Sequence, residues 1–329
     1  MPVFRVIRMP TLQDIKDAHD RIRSYIHRTP VLTNKTIDQL CGAYVYFKCE
    51  NFQKIGAFKA RGGLNAVLQI ASKDSPKSFT THSSGNHAQA IAFAARIVGL
   101  PAYIVMPRTA PQVKKDAVRS YRAEIIECEP TLEAREEGVQ TVIATHGSVL
   151  VHPFDNDMVI AGQATAAVEL MEDVPGALDA IIAPVGGGGL LSGTALAAHF
   201  LSPSTSVYGA EPEGAADAIH SFRTGTVQKA AFVNTIADGL LTTLSERTLA
   251  IIKDHVTGIC LVSEEEIRAA MKLIWERMKI IVEPSSAVAM AAVMKERDLF
   301  RGKKIGIIVS GGNVDLSLLQ KLMGLQPGS

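Results

Sequence analysis

Apolar residues recur along this chain in two rhythms. Short runs dense in Val, Ile and Ala alternate with longer stretches whose apolar positions fall every three or four residues. The short runs predict buried parallel strands, and the longer ones predict helices packed on them. Residues 14–26 carry Ile15, Ala18, Ile22 and Ile26 at helical spacing, and Arg28-Thr29-Pro30 ends that helix. Residues 44–49 predict a strand. Strands over 79–81, 102–106, 124–128 and 149–151 then enclose helices over 88–98, 113–121 and 132–145. Beyond Asp155, helices over 160–171, 190–201, 264–278 and 285–295 accompany strands over 180–185, 206–210, 259–262 and 304–309. The fold class is therefore α/β, with two lobes, each a mostly parallel sheet flanked by helices. Residues 1–77 and 152–329 form the large lobe, and residues 78–151 a small mobile one.

Composition narrows the class without changing it. A chain of 329 residues, 47% hydrophobic and 20% charged, has ample material for a core. A net charge of +1 gives no case for nucleic acid as a partner. No apolar run approaches the roughly 20 residues of a membrane span, and residues 1–10 lack a signal-peptide core. Cys41, Cys49, Cys128 and Cys260 are scattered, with no CxxC spacing, so reduced thiols in a cytoplasmic protein are expected. The last residues, 326–329, read as a frayed tail.

Three turns and one lysine carry the candidate chemistry. Lys59, preceded by Phe58 in Gly56-Ala57-Phe58-Lys59-Ala60-Arg61-Gly62-Gly63, stands just before a helical run over 64–70. An amine in a partly apolar pocket loses charge more easily and becomes a nucleophile or base. Alone, it also reads as a lysine snorkelling from a helix start. In parallel α/β sheets, ligands sit beyond the carboxyl ends of the strands. There, Thr81-His82-Ser83-Ser84-Gly85-Asn86-His87 offers hydroxyl, amide and imidazole groups at a helix start, suited to a carboxylate or phenolate. The same residues are also good turn and N-cap formers. Gly186-Gly187-Gly188-Gly189 between a strand and a helix suits a phosphate wrapped by backbone N–H groups. It lacks the GxxxxGK[ST] and GxGxxG patterns, which excludes P-loop and dinucleotide readings. Ser310, after the last strand, offers a hydroxyl to a ring nitrogen, or simply a turn with Gly-Gly-Asn punctuation. A lysine for an aldehyde, a cradle for a phosphate and a hydroxyl for a ring nitrogen together describe pyridoxal 5′-phosphate.

With Phe47-Lys48-Cys49-Glu50, Thr235-Ile236-Ala237-Asp238-Gly239, Trp275-Glu276-Arg277-Met278-Lys279 and Glu283-Pro284, these stretches resemble the fold-type-II pyridoxal-phosphate family of serine/threonine dehydratases and serine racemases. The resemblance spans nearly the whole chain and implies a tryptophan synthase β-like fold with the cofactor on the large lobe. It implies that Lys59 holds the cofactor as a Schiff base and moves the Cα proton on one face. Asn86 would bond the cofactor's 3′-oxygen, Gly186, Gly187, Gly188 and Gly189 its phosphate, and Ser310 its ring nitrogen. Ser83, Asn86 and His87 would hold the substrate carboxylate, and Arg135 would close over it; by position alone Arg135 also reads as a helix-surface residue paired with glutamates. Ser84, where non-racemising relatives tend to carry alanine, would be the second acid/base that racemisation of serine requires. Elimination of serine to pyruvate and ammonia would accompany it, and the alternative is a serine/threonine or 3-hydroxyaspartate dehydratase. The resemblance further implies a homodimer, a structural Mg²⁺ (or Ca²⁺ or Mn²⁺) on Glu211, the Ala215 carbonyl and Asp217, and ATP on Lys54, Gln89, Tyr121, Lys279 and Asn313. By spacing alone, the Glu211–Asp217 loop reads equally as a solvated acidic loop. The chain departs from the nucleotide pattern at Lys16 and Asn34-Lys35, and from the animal racemases at Phe154 and Thr242.

Overall fold

The computed structural model describes residues 8–230, 232–318 and 320; the expected frayed tail lies outside them. Its strands are β1 (Val31–Leu32), β2 (Tyr44–Cys49), β3 (Ser78–His82), β4 (Ala102–Pro107), β5 (Glu124–Cys128), β6 (Ser148–Leu150), β7 (Ala180–Pro184), β8 (Ser206–Pro212), β9 (Gly258–Val262) and β10 (Lys304–Val309). The helices are α1 (Leu12–Ile22), α2 (Lys35–Cys41), α3 (Lys59–Asp74), α4 (Asn86–Ile97), α5 (Gln112–Ser120), α6 (Leu132–His146), α7 (Asp157–Asp173), α8 (Gly189–Leu201), α9 (Ala218–Thr224), α10 (Glu246–His255), α11 (Glu264–Met278), α12 (Pro284–Lys295) and α13 (Arg297–Phe300).

Two sheets result. The 6-stranded sheet runs β1-β2-β10-β7-β8-β9, parallel except for β1 against β2, and the 4-stranded sheet runs β5-β4-β3-β6, parallel throughout. Strand pleating explains why the central strands read as unbroken apolar runs. Ile305, Ile307 and Val309 of β10 join the core under α11 and α12, while Ile308 between them joins the core under α7 and α8. Ala180 and Ile182 of β7 likewise face one layer, and Ile181 and Ala183 the other. A third core packs α3 and α4 on the 4-stranded sheet through Leu64, Val67, Phe79, Ile91 and Ile104. The expected parallel α/β class is the one found.

Some elements differ from the sequence reading. The first helix stops at Ile22, where Tyr25 N–H turns back to the Ile22 carbonyl at 2.9 Å. The helix expected to follow Lys59 begins at Lys59 itself. Gly62 and Gly63 argue against a helix there by propensity, yet close packing requires them. A Cβ on Gly62 would lie 2.6 Å from the Val159 carbonyl oxygen, and one on Gly162 would lie 2.6 Å from the Gly62 Cα. The crossing of α3 and α7 is therefore a backbone-to-backbone contact that no larger residue permits.

Candidate active site

The three turns and the lysine converge at the carboxyl ends of β2, β3, β6, β7 and β10. Ala57 pairs with Gly311 in an isolated antiparallel bridge, and Phe58 N–H donates to the Ser310 carbonyl at 2.9 Å. The approach to Lys59 is thus sewn to the turn that carries Ser310. Lys59 Nζ donates to the Pro153 carbonyl at 2.9 Å. Phe154, the next residue, covers the glycine turn: its ring occupies the space a Cβ on Gly187 would take, and its Cβ lies 3.0 Å from one on Gly189.

Lys59 touches solvent but is densely surrounded by protein, and burial lowers its pKa from 10.5 to about 8. The Phe58 ring, 5.1 Å from Nζ, contributes to that apolar wall. The sign of the linkage follows. A folded pKa below the unfolded one disfavours the charged amine, fully below pH 8 and not at all above pH 10.5. Cofactor-free Lys59→Met is therefore expected to unfold at higher denaturant than the parent at pH 7. Urea melts at pH 7 and pH 10 should show that gain shrinking; a gain equal at both would mean the amine is not desolvated.

Beneath Lys59 lies a group of charges absent from the sequence reading. Arg61 is fully buried and donates to both oxygens of Glu50 at 2.7 and 2.8 Å and both oxygens of Glu169 at 2.8 and 2.7 Å. Lys48 Nζ lies 2.7 Å from Glu169 and donates to the Thr29 carbonyl at 2.7 Å. Two cations meet two carboxylates, so every buried charge has a partner. The network joins β2, α3 and α7 and fixes the first turn of α3.

Asn86 opens α4 and faces Glu283, ahead of α12, and Asn313, after β10. Its Nδ2 donates to both Glu283 oxygens at 3.0 and 3.2 Å, and its Oδ1 accepts from Asn313 Nδ2 at 2.8 Å. Burial raises the Glu283 carboxyl from 4.5 to about 7. Ser310 is buried, with its hydroxyl 3.0 Å from that of Ser286. Sequence reasoning singles out neither Glu283 nor Ser286 as a site residue; the available signal is their place at the start of α12, around the Glu-Pro step.

The β3–α4 turn presents Ser83, Ser84 and the first N–H groups of α4. Ser83 Oγ accepts from Gly85 N–H at 3.2 Å, whereas Ser84 is half-buried with no hydrogen bond among the described residues. The His87 ring has a partner of its own. Its Nε2 lies 2.9 Å from the Val151 carbonyl, which can only accept, so Nε2 carries the proton and the buried, unpartnered Nδ1 does not. Burial, and then Lys59, hold its pKa well below the usual 6.5. What His87 offers a carboxylate is thus its backbone N–H, not its ring. Arg135 on α6 makes no ion pair among the described residues, and its Nε is buried without a partner. Its alternative reading, pairing with nearby glutamates, does not occur.

The glycine turn has the anatomy of an anion cradle. Gly188 sits at φ +85°, and the N–H groups of Gly186, Gly187 and Gly188 have no partner among the described residues. They lie ahead of the first turn of α8, where the helix dipole attracts negative charge.

Two further sets stand apart. Glu211 is buried and accepts from the N–H groups of Ala218 and Ile219 at 2.6 and 2.9 Å, while the Ala215 carbonyl accepts from Asp217 N–H at 3.0 Å. Asp217 is buried with Oδ2 unpartnered. Burial raises the pKa of Glu211 to about 8 and that of Asp217 to about 6. Among the described residues, no cluster of three or more His, Cys, Asp or Glu side chains is arranged for a metal. Of the nucleotide set, Tyr121 packs on the cluster of Ile55, Ala57, Ala60 and Ala90, and Lys54 and Gln89 adjoin Ile55 and Ala90 in sequence. Asn313 joins them by donating to the Ile55 carbonyl at 2.7 Å. Lys279 caps α11 at φ 60°.

Comparison with known proteins agrees with this geometry. The family described as "Pyridoxal-phosphate dependent enzyme" matches residues 22–311. The chain belongs to that family. It is 53% identical over 317 residues to a serine racemase of Dictyostelium discoideum, covering 95% of this chain and 98% of that one. It is 50% identical to a beta-hydroxyaspartate dehydratase of Paracoccus denitrificans, covering 94% and 98%. The crystal structure of the Dictyostelium serine racemase superposes with a TM-score of 0.89 at 54% identity, covering 93% of this chain and 99% of that chain.

The residues present fit the family's cofactor. The free N–H groups of the glycine turn suit its phosphate, the Lys59 amine its aldehyde, and the Ser310 hydroxyl its ring nitrogen.

Proposed function

We propose that this enzyme interconverts L- and D-serine, with β-elimination of serine to pyruvate and ammonia as a second outcome. What supports the reading is the Lys59 amine, its pKa lowered to about 8, together with the Ser84 hydroxyl, half-buried and without a hydrogen bond among the described residues. When bound, pyridoxal phosphate supplies an electron sink that stabilises charge at the substrate Cα. Lys59 removes the Cα proton from one face, its amine kept basic and near neutrality by its apolar surroundings. The α4 N–H groups and Arg135 hold the substrate carboxylate, which fixes the Cα–H bond relative to Lys59. A single base returns a proton only to the face it came from, so Ser84 delivers the proton to the other. Ser310, a neutral hydroxyl, leaves the ring nitrogen unprotonated and favours proton transfer over transamination.

The test follows D-serine and pyruvate together, from L-serine with pyridoxal phosphate and Mg²⁺. Ser84→Ala is expected to lower D-serine formation by about 100-fold or more, with pyruvate formation largely kept. D-Serine formation unchanged in that variant would end the two-base reading. A second reading, a 3-hydroxyaspartate dehydratase, is favoured by the 50% identity to the Paracoccus enzyme. It predicts pyruvate without D-serine, and faster turnover of 3-hydroxyaspartate than of serine.

The same reading gives Glu211, Asp217 and the Ala215 carbonyl to Mg²⁺, Ca²⁺ or Mn²⁺, all of which take oxygen ligands. Two adjacent buried carboxylates, one with an unpartnered oxygen, favour a cation. Mg²⁺ at about 100 times its Kd is expected to raise Tm by roughly 5 °C, and Asp217→Ala to remove the rise. No rise in the parent would dismiss the site. Lys54, Gln89, Tyr121, Lys279 and Asn313 are assigned to ATP as an activator, in a cytoplasmic homodimer whose small lobe closes on substrate. No described helix is long and apolar enough to cross a membrane.

A further inference from the structure

The Ser286 hydroxyl has no place in the assignments above, yet it is the most constrained polar group near Ser310. Both serines are buried, at 0% and 3% exposure. Ser286 stands in the first turn of α12, and its Oγ meets three polar atoms. It accepts from Gly311 N–H at 2.7 Å, donates to the Gly311 carbonyl at 2.7 Å, and lies 3.0 Å from Ser310 Oγ. A hydroxyl has one proton and two lone pairs. Gly311 N–H takes one lone pair, so the single proton serves either the Gly311 carbonyl or Ser310. In the first arrangement Ser310 donates to Ser286. In the second Ser310 accepts from Ser286, and its own proton is free to point elsewhere. The Gly311 carbonyl survives the change, because Glu283 N–H also donates to it at 3.1 Å.

We propose that Ser286 is a positioning residue for the cofactor: by turning its proton from the Gly311 carbonyl to Ser310 Oγ, it lets Ser310 donate to the ring nitrogen while the Ser310 oxygen keeps a hydrogen bond. No covalent bond changes; two hydroxyl protons rotate together. The proposal rests on the assignment of Ser310 to the ring nitrogen and adds the group that makes that donor available. An alanine at 286 leaves Ser310 with a buried lone pair facing a methyl group whenever it donates outward, which opposes cofactor binding.

The test is equilibrium binding of pyridoxal phosphate to cofactor-free protein, read by visible absorbance and not by turnover, in a double-mutant cycle. Ser286→Ala and Ser310→Ala are each expected to raise Kd by about fivefold. The double variant should bind no more weakly than Ser310→Ala alone, because Ser286 acts only through Ser310. The visible spectrum of the bound cofactor in Ser286→Ala should move toward that of Ser310→Ala. Melting of the cofactor-free variants shows that each is folded. Ser286→Cys, of similar size but a weak hydrogen-bonding group, should reproduce the Kd shift should the alanine variant be poorly recovered. Two outcomes overturn the proposal and are distinct. Additive effects would show that Ser286 acts independently of Ser310. No effect of Ser310→Ala alone would remove the ring-nitrogen assignment itself.

Discussion

Replacing Lys59 with alanine is expected to lower the rate of Cα proton exchange by about 10⁴-fold and to end covalent retention of the cofactor. Both effects come from one atom. Nζ is held toward the Pro153 carbonyl at 2.9 Å, and burial keeps a large share of it neutral near pH 8. Exchange of the serine Cα proton in deuterated water, followed by NMR, measures the first effect. Borohydride treatment followed by denaturation and mass measurement gauges the second. Cofactor still attached to the Lys59→Ala variant would show that another amine is the attachment point. The glycine turn and Ser310 remain intact in the variant, so non-covalent cofactor binding should persist, weakened but measurable.

The second large effect is on stability. Arg61→Met is expected to cost about 3–5 kcal/mol, because it leaves Glu50 buried without a cation and Glu169 with Lys48 alone. For a chain of 329 residues that lowers Tm by about 4–7 °C. Arg61→Lys should recover little of the loss, since an ammonium cannot make the forked contacts to two carboxylates. Thermal and urea melts of cofactor-free protein decide the matter. A loss below about 1 kcal/mol would mean that water or protonation relieves the orphaned carboxylates. The network also fixes the first turn of α3, so the surviving folded fraction should hold cofactor less tightly.

How much of this is legible in the sequence depends on the range of the interaction. β5, β10 and α11 have the bounds their apolar periodicity predicts, because burial on one or both faces is written into consecutive residues. α2 carries no such pattern: only Ile37 and Cys41 of its 7 residues are buried, too few to set a period. α10, also absent from the sequence reading, does carry a signal, a capping box from Ser245 and Thr248 ahead of Leu249, Ile251 and Ile252. At the site, Lys59, Asn86, the glycine turn and Ser310 stand out through residue type and their place beside strand ends. Arg61, Glu169, Glu283 and Ser286 do not. Arg61 and Glu169 are 108 residues apart, and nothing local to either names the other. The same limit explains His87, whose ring is committed to Val151, 64 residues away.

The position of β10 has a consequence for how the protein is made. β10, the last of the described strands, lies in the middle of the larger sheet, between β2 and β7. A ribosome delivers β2 and β7 long before β10, so each waits with an unpaired edge until residues 304–309 emerge. The 4-stranded sheet, drawn from one continuous stretch, has no such wait. Ser310 and Gly311 arrive together with β10, and they hold the turn before Lys59. The nascent chain therefore completes its central sheet and its cofactor pocket in a single event, and holds no finished pocket until residues 304–311 have emerged.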